Sequence, residues 1–101
     1  MTIRHVVSWT LSAEDTETKR EHAAGIASRL TAFANAHPDM VQNLQVGTNI
    51  AYPEKNADLV LIADFADLAA LDAYQVHPEH QAIVEYVVPR VAGRSSVDFE
   101  L

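Results

Sequence analysis

The sequence predicts an α+β fold in which a four-stranded antiparallel sheet carries its helices on one face. Three observations support this. Strand-like and helix-like periodicities follow one another in the order strand, helix, strand, strand, helix, strand. Hydrophobic residues make up 49% and charged residues 21% of the chain, which is globular usage and far from the signature of disorder. Cysteine is absent, so no disulfide framework or thiolate metal site is available and packing alone must hold the core. With 101 residues, one domain spanning residues 1–101 is expected.

The elements follow in order. Ile3, His5, Val7, Trp9 and Leu11 alternate with Arg4, Val6, Ser8 and Thr10, a period of two that places His5 among the bulkiest apolar residues of its strand face. Ser12, with Glu14, Asp15 and Glu17 close behind, reads as a capping signal and acidic first turn. Ala23, Ile26, Ala27, Leu30, Phe33 and Ala34 then recur at the spacing of one helical face, which should end at Asn35 to His37, ahead of Pro38. Leu44, Val46, Thr48 and Ile50 form the apolar side of a second strand, and Tyr52-Pro53-Glu54-Lys55-Asn56 is turn-rich.

Leu59 to Phe65 is apolar on both faces, so both need cover. Asp67 suits the cap of a short helix carrying Leu68, Leu71 and Tyr74. His77-Pro78 closes that helix, because proline lacks an N–H and the residue before it is pushed out of the α region. Pro78 can open the next helix, with Ile83, Val84, Val87 and Val88 on it. Val97, Phe99 and Leu101 alternate with Ser96, Asp98 and Glu100 as a last strand. This order is the ferredoxin-like βαββαβ arrangement. Helices on one face leave Val6, Val60 and Ile62 bare on the other, and a homodimer pairing these open sheet faces is the expected cover.

Charge narrows the function. Fourteen acidic against seven basic side chains give a formal net charge of -7, which argues against nucleic acid and anionic membrane as partners. No run approaches the roughly 18 apolar residues of a membrane span, and Met1-Thr2-Ile3-Arg4-His5 lacks a signal-peptide block. A cytoplasmic protein is expected.

Tyr74-Gln75-Val76-His77-Pro78-Glu79-His80 concentrates proton-active side chains at a helix break. An imidazole at His80 can exchange protons near neutral pH, and Tyr74 can donate a hydrogen bond to a developing oxyanion. The plainer reading makes His80 a brace for its helix, Tyr74 a core aromatic and His5 a satisfied core histidine. His77 reads as the helix-break residue bonding nearby backbone, and His22 and His37 as solvated. A metal site from His5, His77 and His80 is not expected, because no Cys contributes and a His pair at i and i+3 falls short of a motif. No cofactor is expected either, since three glycines form no phosphate loop and no serine sits in a nucleophile elbow.

Arg4-His5-Val6-Val7 and the Tyr74 to His80 segment, together with element order and length, resemble the stress-responsive dimeric α/β-barrel (Dabb) family over essentially the whole chain. The resemblance implies a homodimer whose two sheets form a shared barrel, with a cavity in each subunit between sheet and helices. The family includes plant stress-associated proteins and a plant polyketide cyclase that closes rings by an aldol-type reaction. In cyclase-like members a Tyr and the second His of this segment serve the reaction, which here are Tyr74 and His80. His5, Val7, Trp9, Ile26, Leu30, Ile83 and Phe99 are then the expected pocket lining. The function implied is binding of a small apolar or aromatic carbonyl compound with His80 and Tyr74 as acid–base pair. The alternatives are a non-catalytic stress-associated assembly protein and, by fold analogy alone, an oxygenase that is cofactor-free or haem-related.

Overall fold

The computed structural model describes residues Met1–Leu101. Strand β1 (Ile3–Leu11) leads to helix α1 (Thr16–Ala36), then β2 (Asn43–Thr48), β3 (Leu59–Phe65), α2 (Leu68–Val76), α3 (Pro78–Val87), a 3-10 turn at Val88–Arg90, and β4 (Val91–Glu100). The sheet order is β2-β3-β1-β4 and every neighbouring pair is antiparallel. This is the ferredoxin-like α+β fold that the periodicities predict.

Helix α1 starts later than the Ser12 signal suggests. Asp15 is the cap: its Oδ2 accepts from the Thr18 N–H at 2.9 Å and from the Thr18 hydroxyl at 2.7 Å. The Ser12 N–H instead donates to the Arg90 carbonyl at 2.9 Å, which keeps Ser12 bound to the end of the sheet. The second strand stops at Thr48, and Ile50 is 98% exposed, not part of an apolar face. Asn49 turns the chain there, with its N–H on the Asp58 carbonyl at 2.8 Å and its side-chain amide on the Ala51 carbonyl at 2.7 Å.

The last strand begins at Val91, earlier than its apolar alternation indicates. It pairs along the whole of β1 from Leu11↔Val91 to Ile3↔Glu100, with a register shift between Thr10 and Leu11. Side chains alternate between faces, so this register settles which residues look inward. On the helix side stand His5, Val7 and Trp9, opposite Ala63, Leu61 and Leu59 on β3 and opposite Asp98, Ser96 and Arg94 on β4. On the open side stand Arg4, Val6 and Ser8, flanked by Asp64, Ile62 and Val60 and by Phe99, Val97 and Ser95. Phe99 therefore does not line the expected pocket. It is 43% exposed on the opposite face of the sheet.

The core lies between the inner sheet face and the helices. Ile26, Leu30 and Phe33 of α1, Leu71 and Tyr74 of α2 and Ile83 of α3 are buried with Val7, Trp9, Leu59, Leu61 and Phe65. Each such aliphatic or aromatic side chain contributes about 1.5–3 kcal/mol by leaving water. The open face holds one strong polar tie: the Arg4 Nε and Nη2 donate to the two Asp64 carboxylate oxygens at 2.8 and 2.9 Å. This hydrogen-bonded guanidinium keeps the Asp64 carboxyl below its ordinary pKa against the opposing effect of burial.

Gly25 permits a close approach of α3 to α1. A Cβ there would lie 2.1 Å from the Tyr86 hydroxyl oxygen, and the Tyr86 ring is held between two guanidinium groups, 3.5 Å from Arg29 Cζ and 3.8 Å from Arg90 Cζ. Helix propensity alone makes Gly→Ala favourable by about 1 kcal/mol. Gly25→Ala is therefore expected to lower stability in the natural background and to raise it by about 1 kcal/mol when Tyr86 is also replaced by Ala. Urea titrations of the four proteins check this; an equal gain in both backgrounds would disprove the clash.

Candidate functional site

The helix break positions the polar residues. Asp67 caps α2, its side chain accepting from the Ala70 N–H at 2.8 Å, and α2 ends at Val76 because Pro78 has no N–H to continue it. His77 adopts extended backbone there, and its Nδ1 accepts from the Glu79 N–H at 3.1 Å, capping α3. With Pro78 at the first position of α3, His80 lies on its buried side one turn in. The Tyr74 and His80 rings thus come from two helices and meet with centroids 4.1 Å apart.

Between these helices and the inner sheet face lies a cavity of about 340 Å³, near the lower end of small-molecule sites. His5, Val7, Trp9, Leu30, Tyr74, His80 and Ile83 are among the residues that line it. Ile26 does not. It is 0% exposed, fully packed into the core one turn of α1 before Leu30. Phe99 is absent for the register reason given above. The remaining wall is mostly apolar, with Val84, Val87 and Val91 prominent.

Two residues of this lining carry a buried polar atom without a protein partner, the Tyr74 hydroxyl and His80 Nδ1. Tyr74 is 1% and His80 9% exposed. Burial without compensation disfavours the charged form of each group. It pushes the Tyr74 phenol well above its ordinary range, although the charge of Arg94 pulls slightly the other way. It lowers the His80 pKa, with the positive charges of His5, His77 and Arg94 adding to the shift and a hydrogen bond to the Gln75 carbonyl opposing it. His80 Nδ1 has no hydrogen-bond partner in the protein, so in the neutral ring it is free to be the lone-pair nitrogen. The site therefore holds a phenol that keeps its proton and an imidazole that lacks a second one at neutral pH.

His5 is buried and its Nδ1 bonds the Asp98 carboxylate on β4. A carboxylate on one ring nitrogen fixes the tautomer and orientation of the other. The His5 ring stands 6.2 Å from the Tyr74 ring. Asp98, Arg94 and Gln75 are the site residues that sequence reasoning missed. The polar alternation Arg94, Ser96, Asp98 was visible, but its facing depends on the β1–β4 register.

The cluster with the best metal-ligand geometry is His37, His77 and Glu79, whose ligand atoms lie within 4.8 Å of one another. His37, expected to be solvated, stacks on Phe33 with centroids 4.4 Å apart and bonds Glu79 through Nε2. That bond holds the Glu79 carboxyl below its ordinary pKa. Because His77 Nδ1 accepts the capping N–H, a neutral His77 ring carries its proton on Nε2, and ligation would require shifting that proton and losing the cap. The trio acts as a helix cap joined to a His37–Glu79 hydrogen bond. No helix of the chain is long and apolar enough to cross a membrane.

A family model described as Stress responsive A/B Barrel Domain matches residues 3–101. A dimeric protein of unknown function and ferredoxin-like fold from Bacteroides fragilis superposes with a TM-score of 0.87 at 24% identity, over 99% of this chain and 96% of that one. A dimeric ferredoxin-like protein of unknown function from Thermobifida fusca gives a TM-score of 0.81 at 28% identity, over 100% of this chain and 92% of that one. A hydroxynitrile lyase from Passiflora edulis shares the fold, with a TM-score of 0.72 at 11% identity over 97% and 91% of the two chains. Comparison with curated proteins gives no match.

The two orphaned groups set a pH dependence of stability. Unfolded histidine takes a proton near pH 6.5 or about that value, whereas native His80 resists it, so stability is lost as pH falls from about 6.5 toward the lower native pKa. Unfolded tyrosine ionises near about pH 10, whereas native Tyr74 stays protonated, so stability is lost as pH rises above about 10. In denaturant titrations across pH, His80→Gln is expected to flatten the acid arm and Tyr74→Phe the alkaline arm, each relative to the natural protein. Unchanged arms would mean the two groups are not desolvated.

Proposed function

The chain belongs to the stress responsive A/B barrel (Dabb) family, and on that premise we propose that its cavity binds a small apolar or aromatic carbonyl compound and that His80 and Tyr74 catalyse enolisation or aldol-type ring closure. The observation that supports this reading is that two residues lining a mostly apolar cavity, Tyr74 and His80, each carry a buried polar atom without a protein partner. Buried polar groups are normally satisfied, and a carbonyl compound would satisfy both. His80 Nδ1 takes a proton from the carbon next to the carbonyl, and the released electron pair moves onto the carbonyl oxygen. The Tyr74 hydroxyl donates its hydrogen bond to that oxygen as negative charge builds there. The enolate carbon then attacks a second carbonyl of the same molecule, and the resulting alkoxide takes the proton back from the His80 imidazolium. His5, oriented by Asp98, holds the substrate from the sheet side. The fold also carries a hydroxynitrile lyase, so the scaffold is compatible with lyase chemistry, although at that identity the likeness is one of fold.

The protein acts as a homodimer through its open sheet face in this reading. Val6, Val60, Ile62, Val97 and Phe99 share that face, with Val97 and Phe99 exposed, and two structural neighbours are dimeric. A sheet face of this kind is covered most simply by its own copy.

Exchange of α-protons of 1-phenylbutane-1,3-dione in deuterium oxide, followed by NMR, tests the chemistry. His80→Ala is expected to lower the protein-dependent rate by at least about 10²-fold. Tyr74→Phe should lower it by about 10–10²-fold. Natural rates in a folded His80→Ala protein would rule out the base. Light scattering tests the assembly: a dimer is expected for the natural protein and a shift toward monomer for Phe99→Lys, and a natural monomer at micromolar concentration would overturn the paired sheets.

A further inference from the structure

We propose that Arg94 makes this cavity selective for small monocarboxylates, anchoring the carboxylate at the rim while the apolar body and any carbonyl or hydroxyl reach Tyr74 and His80. The inference deepens the binding reading above and rests on it. Arg94 faces inward because β4 pairs with β1 so that it stands opposite Trp9, and it lines the cavity. β4 is an edge strand with no strand beyond it, and Arg94 is exposed. Arg94 thus marks the open end of a cavity whose closed end is Tyr74, 1% exposed.

The charge of Arg94 has no carboxylate partner. Arg4 pairs with Asp64, Lys19 with Asp58, Arg29 and Arg90 lie on the Tyr86 ring and Lys55 over the Tyr52 ring, while Arg20, also without a carboxylate partner, lines a different pocket. Asp98, the acid on the same strand face, is bound to His5. Arg94 makes one side-chain contact, from Nη1 to the Ser96 hydroxyl at 3.3 Å, which leaves most of its donors free. In a chain of formal net charge -7, an unneutralised cation at the mouth of an apolar cavity is the place where an anion is tolerated. A planar guanidinium suits a carboxylate, which it can bind through two parallel hydrogen bonds. A phosphate monoester would call for a second cation or a nest of backbone N–H groups, and the cavity lining supplies Arg94 as its one Lys or Arg. Both interior polar groups sense the same charge, since Arg94 lowers the pKa of Tyr74 and of His80. Arg94, Tyr74 and His80 all line the one cavity.

Trp9 is the single tryptophan and lines the cavity, so its fluorescence reports occupancy. Titration with 3-phenylpropanoate and with 3-phenylpropanamide compares a carboxylate with a neutral group on the same body. The natural protein is expected to bind the carboxylate at least about five-fold more tightly, with the preference shrinking as salt rises. Arg94→Gln should abolish the preference, read as the ratio of the two affinities, and Arg94→Lys should restore part of it. Equal binding of both probes to the natural protein, or a preference that survives in Arg94→Gln, overturns the role of Arg94 and leaves the pocket reading standing. Failure of both probes to perturb Trp9 overturns both readings.

Discussion

Asp98 meets His5 because β4 lies antiparallel on β1 with Ile3 opposite Glu100, and the same pairing places Arg94 opposite Trp9. A strand has only two faces, so a slip of one residue would turn Arg94, Ser96 and Asp98 outward and bring Val97 and Phe99 in. His5 would then be buried without its carboxylate, an expensive state for a polar ring. The outer face depends on the register as well. There Arg4 reaches Asp64 across β1 and β3 with two parallel hydrogen bonds, which ties the sheet together on the side that the helices leave uncovered.

The helix break at His77-Pro78 is the second element that builds the site. A single continuous helix from Leu68 to Val87 would place Tyr74 and His80 six residues apart on faces that do not meet. Pro78 removes the N–H needed for continuity, His77 turns the chain and caps α3, and the two rings are brought to 4.1 Å. His77 thus contributes by geometry, and the acid–base roles fall to groups farther inside. Its neighbours His37 and Glu79 lock the same corner to α1 through Phe33 and a His37–Glu79 hydrogen bond.

Desolvation then separates the two candidate catalytic groups. Both lose water, and for a phenol and an imidazole that loss acts in opposite pKa directions, with one kept protonated and the other kept neutral. A donor and an acceptor are therefore available side by side at the same pH. Arg94 modulates both from the rim and stays outside the desolvated region.

Local sequence by itself determined the elements. The alternation through Ile3–Leu11, the helical spacing of Ile26, Leu30 and Phe33, and the break at Pro78 are each short-range patterns that steric and hydrogen-bonding rules translate directly into strand, helix and turn. They also sufficed to pick out His5, Tyr74 and His80. The diversion of Ser12 from the cap, the turn at Asn49 and the early start of β4 depended on bonds to residues elsewhere in the chain, to Arg90, Asp58 and Leu11 respectively. Tertiary structure alone decided that Phe99 faces away, that Ile26 lies outside the cavity lining, and that Asp98 and Arg94 belong to the site. The physical reason is that alternation in a strand defines two faces without saying which one is inside, and only pairing with β1 under the helices chooses between them.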